Sequence, residues 1–305
     1  MSEDFRLHIL GCGSAKPTLR HWPSAQMLTF RGRSYLIDCG EGCQWQIQRM
    51  GLGFSKIRAI FISHLHGDHC FGLPALLSTL SLLKRTEPLD VYGPAQLEEF
   101  LVPQLEFFRD SIAYEVRLHY VGTDRVERIF DDGLEVSTLP LEHRVPTCGY
   151  LFREPRPLPH LKRDMVIQYN IPEYARRQIK EGADWQTPEG QVIPNAELTS
   201  PAELPRAYAY CSDTRYLPRL AEQVKGVDTI YHEATYIEEH AESAHQRFHS
   251  TAREAALIAK AAGAKQLVIG HYSSRYKDGE AQLLAEAQAV FPNTILANEG
   301  LSVEI

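Results

Sequence analysis

The chain has 305 residues, of which 44% are apolar and 23% charged, with a formal net charge of −7 and a pI near 6.0. This composition excludes a disordered or fibrous protein, and the length leaves either two domains or one large α/β unit whose core needs no disulfide staple. The acidic balance excludes a protein that is basic all over, so a nucleic-acid partner must meet a local cluster of positive charge.

The first residues, MSEDFRLHIL, show no secretory signal. They are charged and then alternate, with Phe5, Leu7 and Ile9 on one face, which predicts a strand. Residues 25–38 read as a hairpin turning at Arg31-Gly32-Arg33, and 58–63 as a short buried strand. Leu73, Leu76, Leu77 and Leu80 share a helical face over 72–84, and the apolar stretch 73–83 is too short to span a bilayer. A strand at 89–92 and a helix at 94–108 follow, then alternating strands at 114–121 and 134–141. Further strands fall at 207–211, 229–232 and 266–269, with helices at about 250–262 and 279–290. The order predicts two sheets packed together with helices outside, in a single domain covering 1–305. The proline-rich segment 153–205 reads as an inserted arm within that domain. Cys12, Cys39, Cys43, Cys70, Cys148 and Cys211 form no C-x-x-C pair and read as buried, reduced thiols, which points to the cytoplasm.

The chemistry is concentrated in His64-Leu65-His66-Gly67-Asp68-His69, directly after the strand at 58–63. Imidazole nitrogen and carboxylate oxygen are the donors that Zn²⁺ takes, and Gly67 lets the backbone turn so that both halves face one point. His64 and His66, two apart in an extended segment, lie on the same side, while Asp68 and His69 could serve a second ion. Three later strands end in the same way, at Glu142-His143, Ser212-Asp213 and Gly270-His271. Sites in layered α/β folds gather at the carboxyl ends of strands, so these residues supply candidate ligands to bring the total to seven for two ions.

HxHxDH with distant His, Asp and His resembles the metallo-β-lactamase superfamily, which implies an αββα sandwich of two mixed sheets flanked by helices. Tyr231-His232-Glu233-Ala234-Thr235-Tyr236 is similar to the HEAT motif of the ribonuclease Z family. His249-Ser250-Thr251 is similar to that family's HST motif, and LVIGHYSSRY to its last metal motif. LGCGSAKPT and the turn Asp38-Cys39-Gly40-Glu41-Gly42 are similar too, so the resemblance covers nearly the whole chain apart from part of 153–205. It implies an endonuclease that trims the 3′ trailer of precursor tRNA, leaving a 3′-hydroxyl on the tRNA and a 5′-phosphate on the trailer. It implies two Zn²⁺ per subunit (Mn²⁺ as an alternative), with His64, His66 and His143 on the first, Asp68, His69 and His271 on the second, and Asp213 bridging. Asp68 would also accept the proton of the attacking water. His249 would protonate the leaving 3′-oxygen, with Glu233 orienting it. A homodimer is expected by the same resemblance.

The predicted RNA contacts are Arg275, through its planar fork, and a basic window at 144–180. That window holds Arg144, Arg153, Arg156, Lys162, Arg163, Arg176, Arg177 and Lys180 against Glu154, Asp164 and Glu173, eight basic groups against three acidic ones. With Tyr169, Tyr174 and Trp185 interleaved or adjacent, it has the composition of a phosphate-tracking surface. It departs from the Gly-Pro-rich arm of many bacterial relatives, and the loop at 16–23 matches the family only loosely. The rival readings are another dinuclear hydrolase on the same scaffold (a small-molecule phosphodiesterase, arylsulfatase, thioesterase or lactonase) and an RNA-binding protein with structural metals.

Overall fold

The computed structural model describes residues 4–276 and 279–305. The chain divides into two compact units, Met1–Arg153 with Ala207–Ile305, and Glu154–Arg206. In the first unit β1 (Phe5–Gly11), β2 (Ala25–Phe30), β3 (Arg33–Ile37), β4 (Ile57–Phe61), β5 (Leu89–Gly93) and β6 (Val116–Tyr120) follow one another across a sheet in chain order. A second sheet runs in the same orderly way through β7 (Arg128–Asp131), β8 (Glu135–Pro140), β9 (Cys148–Arg153), β10 (Ala207–Cys211), β11 (Thr229–Glu233), β12 (Gln266–Gly270) and β13 (Thr294–Leu296). β14 (Ser302–Glu304) returns to the first sheet and pairs antiparallel with β1. Each sheet starts antiparallel and ends parallel: the change comes at β3–β4 in the first and at β10–β11 in the second. The β2–β3 hairpin turns on Arg31 and Gly32, both in the left-handed region at φ 48° and 76°, as a two-residue turn matched to strand twist requires.

Strand alternation explains why the sheets stack. Leu28 and Phe30, Tyr35 and Ile37, and Ala59 and Phe61 point into the core shared with the second sheet, where Tyr150, Phe152, Tyr208 and Tyr210 meet them. Phe61 lies 5.4 Å, ring to ring, from both Tyr150 and Phe152. Met27, Leu36, Ile60 and Ile62 point the other way, against α1 (Cys43–Arg49), α2 (Gly67–Cys70), α3 (Leu73–Leu82) and α4 (Leu97–Phe107). This is the expected αββα sandwich of two mixed sheets flanked by helices. Among the described residues no helix is long and apolar enough to cross a membrane.

The second unit contains α5 (Arg163–Gln168), α6 (Glu173–Lys180) and two short antiparallel ladders, 160–161 with 199–200 and 185–186 with 192–193. Ile171, Ala175, Ile179, Ile193 and Leu198 form its small core. Its two ends are tied by Arg206, whose guanidinium meets the Glu154 carboxylate at 2.7 and 3.0 Å. The sandwich resumes with α7 (Ala252–Ala262), which opens on a Thr251–Glu254 capping box and closes on Gly263 at φ 64°, and with α8 (Ala281–Gln288).

Candidate active site

Five of the seven predicted metal-ligating residues sit beyond a strand's carboxyl end. His64 and His66 follow β4, His143 follows β8, Asp213 follows β10 and His271 follows β12, while Asp68 and His69 lie on α2. The turn at 38–42 packs tightly on α2, since a Cβ on Gly40 would stand 2.5 Å from the Asp68 carbonyl oxygen.

The structure gathers all seven side chains into one cluster with two lobes. In the first, His66 Nδ1 lies 3.1 Å from His64 Nε2 and 3.2 Å from His143 Nε2, and Asp213 Oδ2 lies 3.7 Å from each of the latter two. In the second, His271 Nε2 lies 3.3 Å from His69 Nε2, 3.3 Å from Asp68 Oδ2 and 3.2 Å from Asp213 Oδ1. Asp213 thus turns one oxygen to each lobe. Donors bound 2.0–2.1 Å from a tetrahedral ion stand about 3.3–3.4 Å apart, which matches these spacings.

The outer partners decide which ring nitrogen faces inward. Ser63 Oγ donates to Asp38 Oδ2 at 2.8 Å, so it accepts from His64 Nδ1 at 3.0 Å. Thr235 Oγ1 donates to Glu233 Oε2 at 2.6 Å, so it accepts from His271 Nδ1 at 2.9 Å. His69 Nδ1 donates to Asp38 at 2.7 Å and His143 Nδ1 to the Phe248 carbonyl oxygen at 2.9 Å. All four rings therefore turn Nε2 into the cluster, the arrangement that fixes tautomers in metal sites. Asp213 Oδ1 is buried and has no hydrogen-bond partner. Burial and the neighbouring imidazoles hold His64 well below its ordinary value, and burial lowers His66 and His143. Burial alone would lower His69 too, but Asp213, Asp38 and Asp68 overcome it and push the ring up to about 10. Lone pairs converging from the neutral His64, His66 and His143, three carboxylates around His69 and an orphaned carboxylate oxygen are what divalent cations would satisfy, so the residues fit a metal pair.

Asp68 lies against the same lobe. Burial opposes its ionisation, yet His69, His271 and a 2.6 Å hydrogen bond from the Ala15 amide hold the carboxyl well below the usual range. Beside the lobes, His249 Nδ1 meets Glu233 Oε1 at 2.8 Å, and Asp213 Oδ2 is 4.0 Å away. Glu233 is fully buried and accepts from the amides of Thr214, Thr235 and Ser250 at 3.0–3.1 Å. Burial would lower His249, but the adjacent Glu233 carboxylate raises it to about 9. In turn, burial would raise Glu233, and the charged His249 beside it brings it below its ordinary value. Thr251 caps α7, as its sequence position allowed, while His249 two residues earlier faces the cluster.

Arg275 is exposed and stacks over Tyr236 at 5.1 Å, and the Tyr236 ring lies 6.0 Å from that of His249. Arg176, Arg177 and Lys180 lie on α6 and line a cavity of about 400 Å³ together with Leu158 and Glu173. Arg177 also pairs with Glu181 at 2.9 Å. Four residues of the site escape the ligand pattern in the sequence. Asp38 takes hydrogen bonds from His69, Ser63 and Tyr210, Thr235 links His271 to Glu233, and Ser63 steadies His64. The exposed Arg144 brings its positive charge to bear on His66 and His249. A polar residue one position beyond a strand was the available signal for Asp38, and the HEAT stretch for Thr235.

Comparison with known proteins points the same way. The family model described as anti-Pycsar protein Apyc1 matches residues 5–106. Ribonuclease Z of Bacteroides fragilis (strain YCH46) is 51% identical over 304 residues, covering 99% of this chain and 100% of its own. Ribonuclease Z of Porphyromonas gingivalis (strain W83) is 50% identical over 302 residues and is covered to 99%, as is this chain. Among solved structures, the short form of human tRNase Z (ELAC1) superposes with a TM-score of 0.70 at 25% identity, covering 98% of this chain and 99% of that one.

Proposed function

The chain belongs to the ribonuclease Z family, and we propose on that premise that it is a metal-dependent endoribonuclease that removes the 3′ trailer of precursor tRNA. The observation that carries this reading is the coexistence of the two-lobed ligand cluster with the adjacent His249–Glu233 pair. His64, His66 and His143 would hold one Zn²⁺ and Asp68, His69 and His271 a second, with Asp213 shared between them. Two such ions supply Lewis-acid stabilisation of the attacking and leaving oxygens of an in-line displacement at phosphorus, and a nucleophile at neutral pH.

The chain's own residues do the rest. The Asp68 carboxylate, held by the Ala15 amide, accepts a proton from the attacking water. Glu233 engages His249 Nδ1, which leaves Nε2 as the edge that donates a proton to the departing 3′-oxygen. The bond between phosphorus and the 3′-oxygen breaks, leaving a 3′-hydroxyl on the tRNA and a 5′-phosphate on the trailer. Arg275 and Arg144, exposed near His249, contact the phosphates around the cut, and Arg176, Arg177 and Lys180 on α6 track the RNA backbone. In this reading residues 153–205 are an inserted arm of a single-domain enzyme, and the working form is a cytoplasmic homodimer. A monomer near 34.6 kDa by light scattering would exclude the dimer.

The test is cleavage of a precursor tRNA bearing a short 3′ trailer. The expected result is one cut after the discriminator base, lost in Asp68→Ala, strongly reduced in His249→Ala with metal content intact, lost on chelation and restored by Zn²⁺ or Mn²⁺. A fully metallated protein that leaves precursor tRNA intact would overturn the assignment.

A further inference from the structure

A second cluster of ligand-type side chains lies apart from the seven of the active site. Cys12, just past the end of β1, places its sulfur 3.3 Å from His21 Nδ1, 3.4 Å from the Ala297 carbonyl oxygen and 3.7 Å from Glu299 Oε1. His21 Nδ1 is itself 3.1 Å from Glu299 Oε2. Cys12 and His21 are buried, and the Glu299 side chain is 13% exposed. His21 faces a carboxylate at each ring nitrogen, and the ligand atoms of Cys12, His21 and Glu299 all lie within 4.8 Å of one another. A shared cation can serve the sulfur, the ring nitrogen and the carboxylate together.

The surroundings resemble a metal site's outer layer. His21 Nε2 faces Glu280 Oε1 at 3.2 Å, and Glu280 Oε2 is held by Arg20 Nη2 at 2.7 Å. A ligating imidazole whose far nitrogen donates to an anchored carboxylate is the usual arrangement in metal sites. The Trp22 amide binds Glu299 Oε1 at 2.8 Å, which leaves Oε2 on the side of His21. Charge also balances. A thiolate with Glu280 and Glu299 carries three negative charges, and a divalent ion with the Arg20 guanidinium carries three positive ones. Tetrahedral zinc bonds of 2.3 Å to sulfur and 2.0–2.1 Å to nitrogen or oxygen put sulfur and nitrogen about 3.6 Å apart and nitrogen and oxygen about 3.4 Å apart. The observed 3.3 and 3.1 Å need only slight opening.

We propose that Cys12, His21 and Glu299 form a third zinc site that clamps the 14–23 loop to the 297–299 segment. Thiolate, imidazole and a single carboxylate favour Zn²⁺ over Mg²⁺ or Ca²⁺. The clamp bears on the active site through the backbone. Tyr272, next to His271, donates its amide to the Cys12 carbonyl and accepts from the Ser14 amide, both at 3.1 Å, and Ala15 holds Asp68. The ion would thus fix the loop that supports one lobe of the catalytic cluster without touching its ligands.

The test is cobalt substitution of the full-length protein after chelator treatment. None of the seven catalytic ligands is a sulfur, so a near-ultraviolet sulfur-to-cobalt charge-transfer band reports a cysteine site independently of activity and of how many catalytic metals bind. The expected result is that band in the parent, its loss in Cys12→Ala, and one zinc equivalent fewer per chain in that variant by elemental analysis. Glu299→Gln, which keeps the sulfur and the volume, should retain a weakened band and serves if Cys12→Ala does not fold. A parent that takes up cobalt without the band overturns the proposal. So does a band undiminished in the variants, which would belong to Cys39 and Cys43, whose sulfurs stand 3.2 Å apart.

Discussion

Replacing Glu233 by glutamine separates a proton-donating role for His249 from a merely structural one. The ring rises from 6.5 to about 9 chiefly because the Glu233 carboxylate is 2.8 Å from Nδ1. At 1.36 kcal/mol per pKa unit, that rise is about 3 kcal/mol in favour of the charged ring. The glutamine amide removes the negative charge and also turns an NH₂ toward an environment that contains only donors, so His249 should fall to 6.5 or below, since burial still opposes its charge. Near pH 8 the charged fraction then drops from about nine-tenths to about three-hundredths or less, a loss of about 30-fold or more in the proton-donating form. Towards pH 6 the parent ring stays charged while the variant's regains its proton, so the deficit from protonation should shrink steadily as pH falls. The assay is kcat/KM on precursor tRNA from pH 6 to 9, paired with an NMR titration of the His249 ring in metal-stripped protein. A deficit of the same size at every pH, or a ring that still titrates near 9, refutes the reasoning. The stability linkage has a definite sign. The raised His249 contributes fully below pH 6.5 and loses its contribution as pH rises through about 9. The depressed Glu233 contributes above 4.5 and is lost as pH falls, so the pair stabilises the fold between those limits.

Thr235→Val removes the acceptor for His271 Nδ1 and a donor to Glu233, and metal affinity measured by chelator competition should fall about 10- to 100-fold. An unchanged affinity would mean that the hydroxyl does not orient the ring. Phe152→Ala, in the aromatic contact between the sheets, should cost about 3–5 kcal/mol in urea unfolding while the precursor-tRNA cleavage site stays the same. Arg176→Glu, Arg177→Glu and Lys180→Glu together should raise KM for precursor tRNA and flatten its salt dependence by about two to three in logarithmic slope, with kcat within about twofold. A KM and salt slope equal to the parent's would remove α6 from the RNA-binding surface.

The sequence was most informative where period and chemistry coincide. The strand before His64 and those before His143, Asp213 and His271 are legible because short apolar runs end abruptly in donor residues, and backbone geometry gathers strand ends. The hairpin at 25–38 and the helix at 73–82 follow from alternation and a leucine face. β9, at Cys148–Arg153, was not anticipated although Tyr150 and Phe152 alternate, because it runs directly into the proline-rich segment. α5 and α6 were also hidden, since helices of six and eight residues span too few turns to establish a period. Asp38 shows a different limit. Its role comes from four hydrogen bonds donated by Ser63, His69 and Tyr210, and none of those pairings is encoded near position 38.

The pairing of β14 with β1 bears on how the protein is made. His8 lies opposite Ser302, so the first strand waits for residues 302–304 before that edge of its sheet is covered. The catalytic cluster is assembled in the same late fashion. A nascent chain of some 140 residues carries His64, His66, Asp68 and His69, but His143, Asp213 and His271 follow strands of the second sheet. Contacts across such sequence distances form slowly, and an open strand edge is a site for pairing with other chains. During synthesis the first half is therefore exposed to misassembly for as long as translation of the second half lasts. A complete donor set for both lobes exists only once the last strands of the second sheet are in place.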